Sequence, residues 1–222
     1  MSESVSQAAL QVGAYVARKV AGLQSALLGT GSATASARGS LARLRRLDKP
    51  SGGSWATAGG EIFLGLPELD LSKRDEDRML RAVKVALKLY ALHQQSQQKP
   101  MAITKKDDEQ NEPPFRRSFG WSCRAIEYDL DEASGVVRRM ASVEAARDFA
   151  GIETCLRGLI QLMRAEDVQV DYCQLGRDLY LLQFDGYRDE VFMRWSRDYY
   201  RSYEKSKTDE QGGPIPAEEE IR

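Results

Sequence analysis

The chain has 222 residues, 42% of them hydrophobic and 29% charged, which is enough apolar mass for one large domain or two small ones with a buried core. No apolar run reaches the roughly 18 residues of a membrane span, and residues 1–11 lack the basic patch and apolar stretch of a secretory signal, so the cytoplasm is the expected location. A formal net charge of −1 speaks against a uniformly basic nucleic-acid binder, and three distant cysteines with a single histidine exclude a disulfide framework and disfavour a zinc site.

Val5, Ala9, Val12, Val16, Val20, Leu23 and Leu27 recur at steps of three and four, the spacing of one helical face. Gly13 and Gly22 weaken this helix without ending it. Gly29-Thr30-Gly31-Ser32 ends it, and a small-residue loop is expected to about Ala37. A short helix then runs from Arg38 to Leu47, with Leu41, Leu44 and Leu47 inward. Arg43 and Arg46 share one flank of it, Arg38 and Arg45 another. Lys49 to Gly53 reads as a loop. Trp55 to Leu66 is consistent with a short helix packed by Trp55, Ile62 and Phe63 and stopped before Pro67. Ser72 has the chemistry of an N-cap, with Asp75, Glu76 and Asp77 where the helix dipole favours acids. Leu80, Val83, Leu87 and Tyr90 give the buried stripe of a long helix that fades near Gln98. From Ser96 to Pro114 the sequence is polar, as in a linker or mobile loop.

Phe115 to Gln211 contains no proline, and helical pattern dominates. Helices are expected from Trp121 to Leu130 and from about Ser142 to Ala165, the latter with a break near Gly151. Asp171 can cap a further one, with Leu175, Leu179 and Leu182 inside. The last runs from Tyr187 to Tyr203 and buries Phe192, Trp195 and Tyr199. The tail from Lys205, with Gly-Gly-Pro-Ile-Pro and Glu218-Glu219-Glu220, has the composition of a disordered segment. No internal repeat and no strand alternation occur. The expected class is all-α: an N-terminal bundle over residues 1–98, a linker at 99–114, a C-terminal bundle over 115–204, and an acidic tail at 205–222.

Catalytic signatures are missing from the sequence: there is no GxxxxGK[ST], GxSxG or HExxH. His93 sits at a helix end, where a cation suits the negative end of the dipole; a polar contact to a partner chain or a phosphate is the other reading. Asp129, Asp131 and Glu132 read as a solvated turn rather than a metal centre. Cys123, Cys155 and Cys173 each read as small core residues. No cofactor is expected.

The basic residues make a better constellation. Residues 1–60 carry seven Lys and Arg against only Glu3 and Asp48. In residues 121–203 all eleven basic residues are Arg, whose planar fork suits phosphate. Arg157, Gln161 and Arg164 share one helical face, opposite Ile152, Cys155, Leu159 and Met163. Arg194, Arg197 and Arg201 share another, and Arg177 projects from the helix between. With Arg38, Arg43, Arg45 and Arg46 these faces would form a stripe for phosphates, binding by counterion release. They fit equally the solvated, ion-paired faces common on helices, with Asp178, Asp198 and Glu153 at hand.

Four segments carry a family resemblance: Gly39 to Leu47, Leu89 to Gln95, Leu156 to Ala165 and Arg194 to Tyr200. In order and spacing they resemble the CasB family, the small subunit of the type I-E CRISPR Cascade complex. The resemblance implies an all-helical, non-enzymatic protein with N- and C-terminal bundles. It implies two copies head to tail in Cascade, touching the large subunit and the repeated backbone subunit near the guide RNA. It also implies a positive surface that receives single-stranded DNA or the guide RNA/DNA heteroduplex as the R-loop forms. By motif position, Arg45 and Arg46 match the family's N-terminal basic pair. Arg164 and the region of Arg177 match basic positions of the C-terminal bundle, and Arg197 and Arg201 those of the last helix. Gly158 stands where a relative has a second adjacent arginine, so charge there is thinner. Two further readings stay open: a structural adaptor whose arginines make subunit salt bridges, and a hydrolase with an unrecognised carboxylate site.

Overall fold

Nine α-helices form among the residues that the computed structural model describes, 4–47, 55–104, 117–126 and 135–211. They are α1 (Val5–Leu28), α2 (Ser32–Arg46), α3 (Trp55–Phe63), α4 (Lys73–His93), α5 (Phe119–Arg124), α6 (Gly135–Glu144), α7 (Phe149–Ala165), α8 (Tyr172–Leu181) and α9 (Asp185–Gln211). The chain is all-α; the one β feature among the described residues is an isolated bridge between Ala102 and Val170.

Local chemistry sets the helix ends. Ser4, Ser72, Asp148 and Asp171 cap α1, α4, α7 and α8, each side-chain oxygen accepting an N–H from three residues on. The small-residue loop expected to Ala37 is shorter than composition suggests. The connection is only Gly29-Thr30-Gly31, with Gly31 at φ 96°, and α2 starts at Ser32. Thr34 stabilises that early start, its hydroxyl lying 3.1 and 3.0 Å from the Ala26 and Gly29 carbonyls that α1 leaves without partners. The break expected near Gly151 falls instead before Asp148, which accepts the Gly151 N–H at 2.7 Å and starts α7. α9 runs to Gln211, past Lys205, where the tail composition begins. On α3, Ala58 and Ile62 are the buried residues, while Phe63 is 45% exposed rather than packed inward.

Three helices make the centre: α1, α4 and α8 all touch one another, and α1 with α8 is the most extensive pairing. Small residues allow it. A Cβ on Gly13 would stand 2.6 Å from the Cys173 carbonyl oxygen, and one on Gly176 would stand 3.0 Å from Val16. Around this centre α2 lies on α1 and α4, α7 on α4, and α5 on α9. Helices from both sides of the polar segment thus contribute to one hydrophobic core. Tyr15 ties α1 to the end of α3, its hydroxyl 2.7 Å from the Ile62 carbonyl, and burial pushes its pKa up to about 12.

The start of the polar segment is held in place, an outcome its composition does not foreshadow. Met101 and Ala102 are buried. Two glutamines substitute for a neighbouring strand. Gln24 accepts from the Ala102 N–H at 2.9 Å and donates to its carbonyl at 3.0 Å. Gln94 accepts from Met101 N–H at 3.1 Å and donates to the Lys99 carbonyl at 2.8 Å. Val170 and Ile103 complete the pairing through backbone bonds of 3.0 Å. Buried backbone groups left without partners would each cost about 1–3 kcal/mol, which explains two buried amide side chains in an apolar core.

Of the three cysteines, only Cys123 is fully buried; Cys155 and Cys173 are half-buried, and no disulfide joins them. Gly120 packs so tightly that a Cβ there would stand 1.8 Å from the Trp195 carbonyl oxygen, whereas one on Gly158 would meet nothing within 4 Å. Gly120→Ala is therefore expected to separate α5 from α9 and destabilise the protein by about 3 kcal/mol or more. Gly158→Ala, inside α7, is expected to stabilise it by about 0.5–1 kcal/mol. Urea unfolding of the two variants checks both signs.

Candidate nucleic-acid interface

The C-terminal turn of α4 gathers arginines from two distant parts of the sequence. Arg45, at the end of α2, donates from Nη1 to the Ala91 carbonyl at 3.1 Å. Arg164, at the end of α7, reaches the Leu92 carbonyl at 3.5 Å, and Gln97 donates to the Arg164 carbonyl at 2.6 Å. The last carbonyls of a helix lack intrahelical donors and carry the negative end of its dipole, so guanidinium groups settle there. Burial, and then the neighbouring charge of Arg46, pull the pKa of Arg45 below its ordinary value. Arginine stays charged at neutral pH. Arg46 itself is exposed.

His93 departs from its expected role. It is 0% exposed, with Nδ1 3.1 Å from the Tyr172 hydroxyl. Burial, the largest cause, depresses its pKa to about 4, the Val168 backbone opposes that shift and Arg164 reinforces it. His93 is thus neutral at pH 7, and the cations at this helix end are Arg45 and Arg164.

The remaining arginines divide by burial and partner. Arg43 is ion-paired to Glu61 at 2.6 Å and also donates to Ser40 at 3.0 Å, joining α2 to α3. Arg38 and Arg157 are exposed, the latter with Gln161 on the outer face of α7. Arg177 is half-buried beside α1, close to Gly13. Arg194 is drawn into the core by Asp178, which is 0% exposed. Asp178 also accepts from Trp195 Nε1 at 2.7 Å and from Gln174 at 2.8 Å. Burial pushes the Asp178 carboxyl up, and Arg194 with the two other donors opposes that shift. Such a pair holds structure, because removing either partner strands a charge away from water. Arg197 pairs with Asp198 at 3.0 Å and stays half-exposed, and Arg201 is exposed. Glu153 takes Lys88 from α4 rather than an arginine.

The structure therefore brings Arg45, Arg46 and Arg164 to one helix end, leaves Arg38, Arg157, Arg197 and Arg201 on the surface, and commits Arg194 to the core. Arg74, Arg78 and Arg81 of α4 lie outside the basic constellation named from the sequence. Their spacing of four and three on one helix was a signal available in the sequence. Asp129, Asp131 and Glu132 lie outside the described residues. Among the described residues, no three His, Cys, Asp or Glu side chains are grouped to hold a metal ion, and no helix is long and apolar enough to cross a membrane.

Comparison with known proteins follows the same lines. The crystal structure of CasB from Thermobifida fusca superimposes with a TM-score of 0.66 at 24% identity, covering 85% of this chain and 97% of that one. The M. ruber CasB structure gives 0.56 at 20% identity, covering 86% and 97%. Curated proteins show no match. The fold is thus that of CasB, an all-helical arrangement with its arginines on several faces. Residues 40–200 match the model of the CRISPR-associated protein Cse2 family, and the chain belongs to that family, the CasB (Cse2) structural subunit of Cascade in CRISPR defence.

The buried histidine makes stability depend on pH. Its folded pKa of about 4 lies below the unfolded value of 6.5, so the unfolded chain takes up the proton first. This contribution is complete above pH 6.5 and is lost as pH falls toward 4, about 3 kcal/mol in all. Urea unfolding from pH 7 to pH 4 is expected to show a steeper loss for the wild type than for His93→Gln, by about that amount.

Proposed function

We propose that the chain is a non-catalytic small subunit that binds nucleic-acid backbone through exposed arginines and so stabilises the R-loop. Its ligand is the displaced single strand of DNA or the guide RNA/DNA heteroduplex. Arg38, Arg46, Arg157, Arg197 and Arg201 contact phosphates. Arg45, Arg164 and Arg177 frame that surface, while Arg43 and Arg194 hold helices in place. The large subunit, the backbone subunit and a second copy of the chain are its protein partners, in the cytoplasm.

The observation that supports this reading is the meeting of the ends of α2 and α7 on the last turn of α4. There Arg45 and Arg164 are anchored by carbonyls and Arg46 is left to solvent. An anchored pair beneath an exposed cation gives a fixed positive surface. R-loop formation exchanges duplexes at nearly balanced energy, so modest backbone contacts tip it. A net charge near zero is compatible, since the assembly supplies effective concentration that a free subunit lacks.

The adaptor reading has its own support in Arg43–Glu61, Arg194–Asp178 and Arg197–Asp198, arginines already engaged with protein acids. A salt series with labelled single-stranded DNA separates the two. Replacing Arg46, Arg157 and Arg201 with Gln is expected to weaken binding and flatten the logarithmic salt slope by about 2, at about 0.7 per single-strand phosphate. Unchanged DNA binding together with loss of Cascade assembly would instead assign these arginines to subunit contacts.

A further inference from the structure

At the opposite end of α4, Arg74, Arg78, Arg81, Arg147 and Arg188 line one cleft of about 330 Å³. Three come from the first turns of α4, one from the residue before the cap of α7, and one from the first turn of α9. Two are fixed. Arg78 pairs with Asp75 at 2.7 Å and lies 4.2 Å over the Phe184 ring. Arg188 donates to the Glu144 and Ala146 carbonyls at 2.7 and 2.8 Å and lies over Phe192. Arg74, Arg81 and Arg147 are exposed, and among the described residues Arg81 and Arg147 have no hydrogen-bond or ion-pair partner.

Helix ends add to this charge. First-turn residues of α4, α7 and α9 (Arg74, Phe149, Asp185) line the cleft and the C-cap of α8, Leu182, lines it too, so the positive dipole ends outnumber the negative one. Asp77, Asp148 and Asp185 also face it and Asp75 holds Arg78, leaving the arginines one charge in excess. Asp148 is already engaged in capping α7. The chemistry favours a phosphate over a protein carboxylate. A phosphate offers acceptor oxygens in several directions to forks arriving from three helices, whereas a carboxylate matches one fork. Phe149, partly buried against the core, lines the same space.

We propose that this cleft is a second phosphate site, taking the backbone of single-stranded nucleic acid, with Arg81 and Arg147 as its contacting groups. The assignment rests on the reading that the chain binds nucleic acid, but it concerns a different place. Arg78 and Ala91 are thirteen residues apart on α4, or about 20 Å along its axis.

The test uses the full chain and two probes, 5′-phosphorylated dithymidylate and a labelled oligothymidylate dodecamer. The dinucleotide is expected to shift the Nε–Hε NMR signals of Arg81 and Arg147. The double variant Arg81→Gln, Arg147→Gln is expected to bind the dodecamer about tenfold more weakly at low salt, with a salt slope shallower by about 1.4. Both side chains are exposed, so the variant is expected to unfold at the same urea concentration as the wild type. Signals that stay still with the dinucleotide overturn the site, as does a hexaglutamate peptide that shifts them at lower concentration. Wild-type dodecamer affinity in the double variant, alongside loss in Arg46→Gln, overturns the cleft and leaves the α4 C-terminal surface standing. If the wild type does not bind the dodecamer while the dinucleotide shifts both arginines, the nucleic-acid function fails and the cleft remains a phosphate site.

Discussion

The close approach of α1 and α8 is the constraint on which the arrangement depends. Gly13 admits the Cys173 carbonyl and Gly176 admits Val16, so two helices about 160 residues apart in the chain pack nearly backbone to side chain. α4 fills the groove along both. Once these three are fixed, the ends of α4 are fixed too, and with them the two arginine clusters gathered there. A side chain at Gly13 would displace α8, and with it Asp178, whose carboxyl draws in Arg194 and Trp195 and so aligns α9.

Buried polar groups in this protein serve position. Gln24 and Gln94 hold the backbone at residues 99–102 as a strand neighbour would. Asp178 joins α8 to α9, and Lys88–Glu153 joins α4 to α7. Each is a pair whose members come from separate elements, so each is satisfied only in the correct packing. The same logic sorts the arginines. A guanidinium near a buried carboxylate or the end of a helix becomes structure, and one left facing water keeps its charge available for a partner.

Much of the helical pattern was legible in the sequence because it is a local property. Spacing of Val5 to Leu27 gave α1, Ser72 and Asp171 marked their caps, and Phe192, Trp195 and Tyr199 gave the inner face of α9. Where reading was off, a local competitor decided. A three-residue connection ending in Gly31 replaced the longer loop that composition suggested, and Asp148 rather than Gly151 set the start of α7. His93 looked like a charged residue because it closes a helix, where the dipole favours a cation, yet Tyr172 of α8 meets it in space and it is buried.

The family, too, could be reached from short segments, which, Gly39 apart, all lie within the residues 40–200 that match its model. The sequence by itself determined which stretches are helical and which face of each is apolar, because periodicity and capping act within a few residues. It also determined that the basic charge is mostly arginine. Only the tertiary structure decided which arginines remain free. Arg194 and Arg201 lie on the same helix seven residues apart, and one is half-buried against Asp178 while the other faces solvent. That difference comes from Asp178 on α8, which reaches Arg194 from outside α9, and a contact between helices of that kind leaves no local trace in the chain.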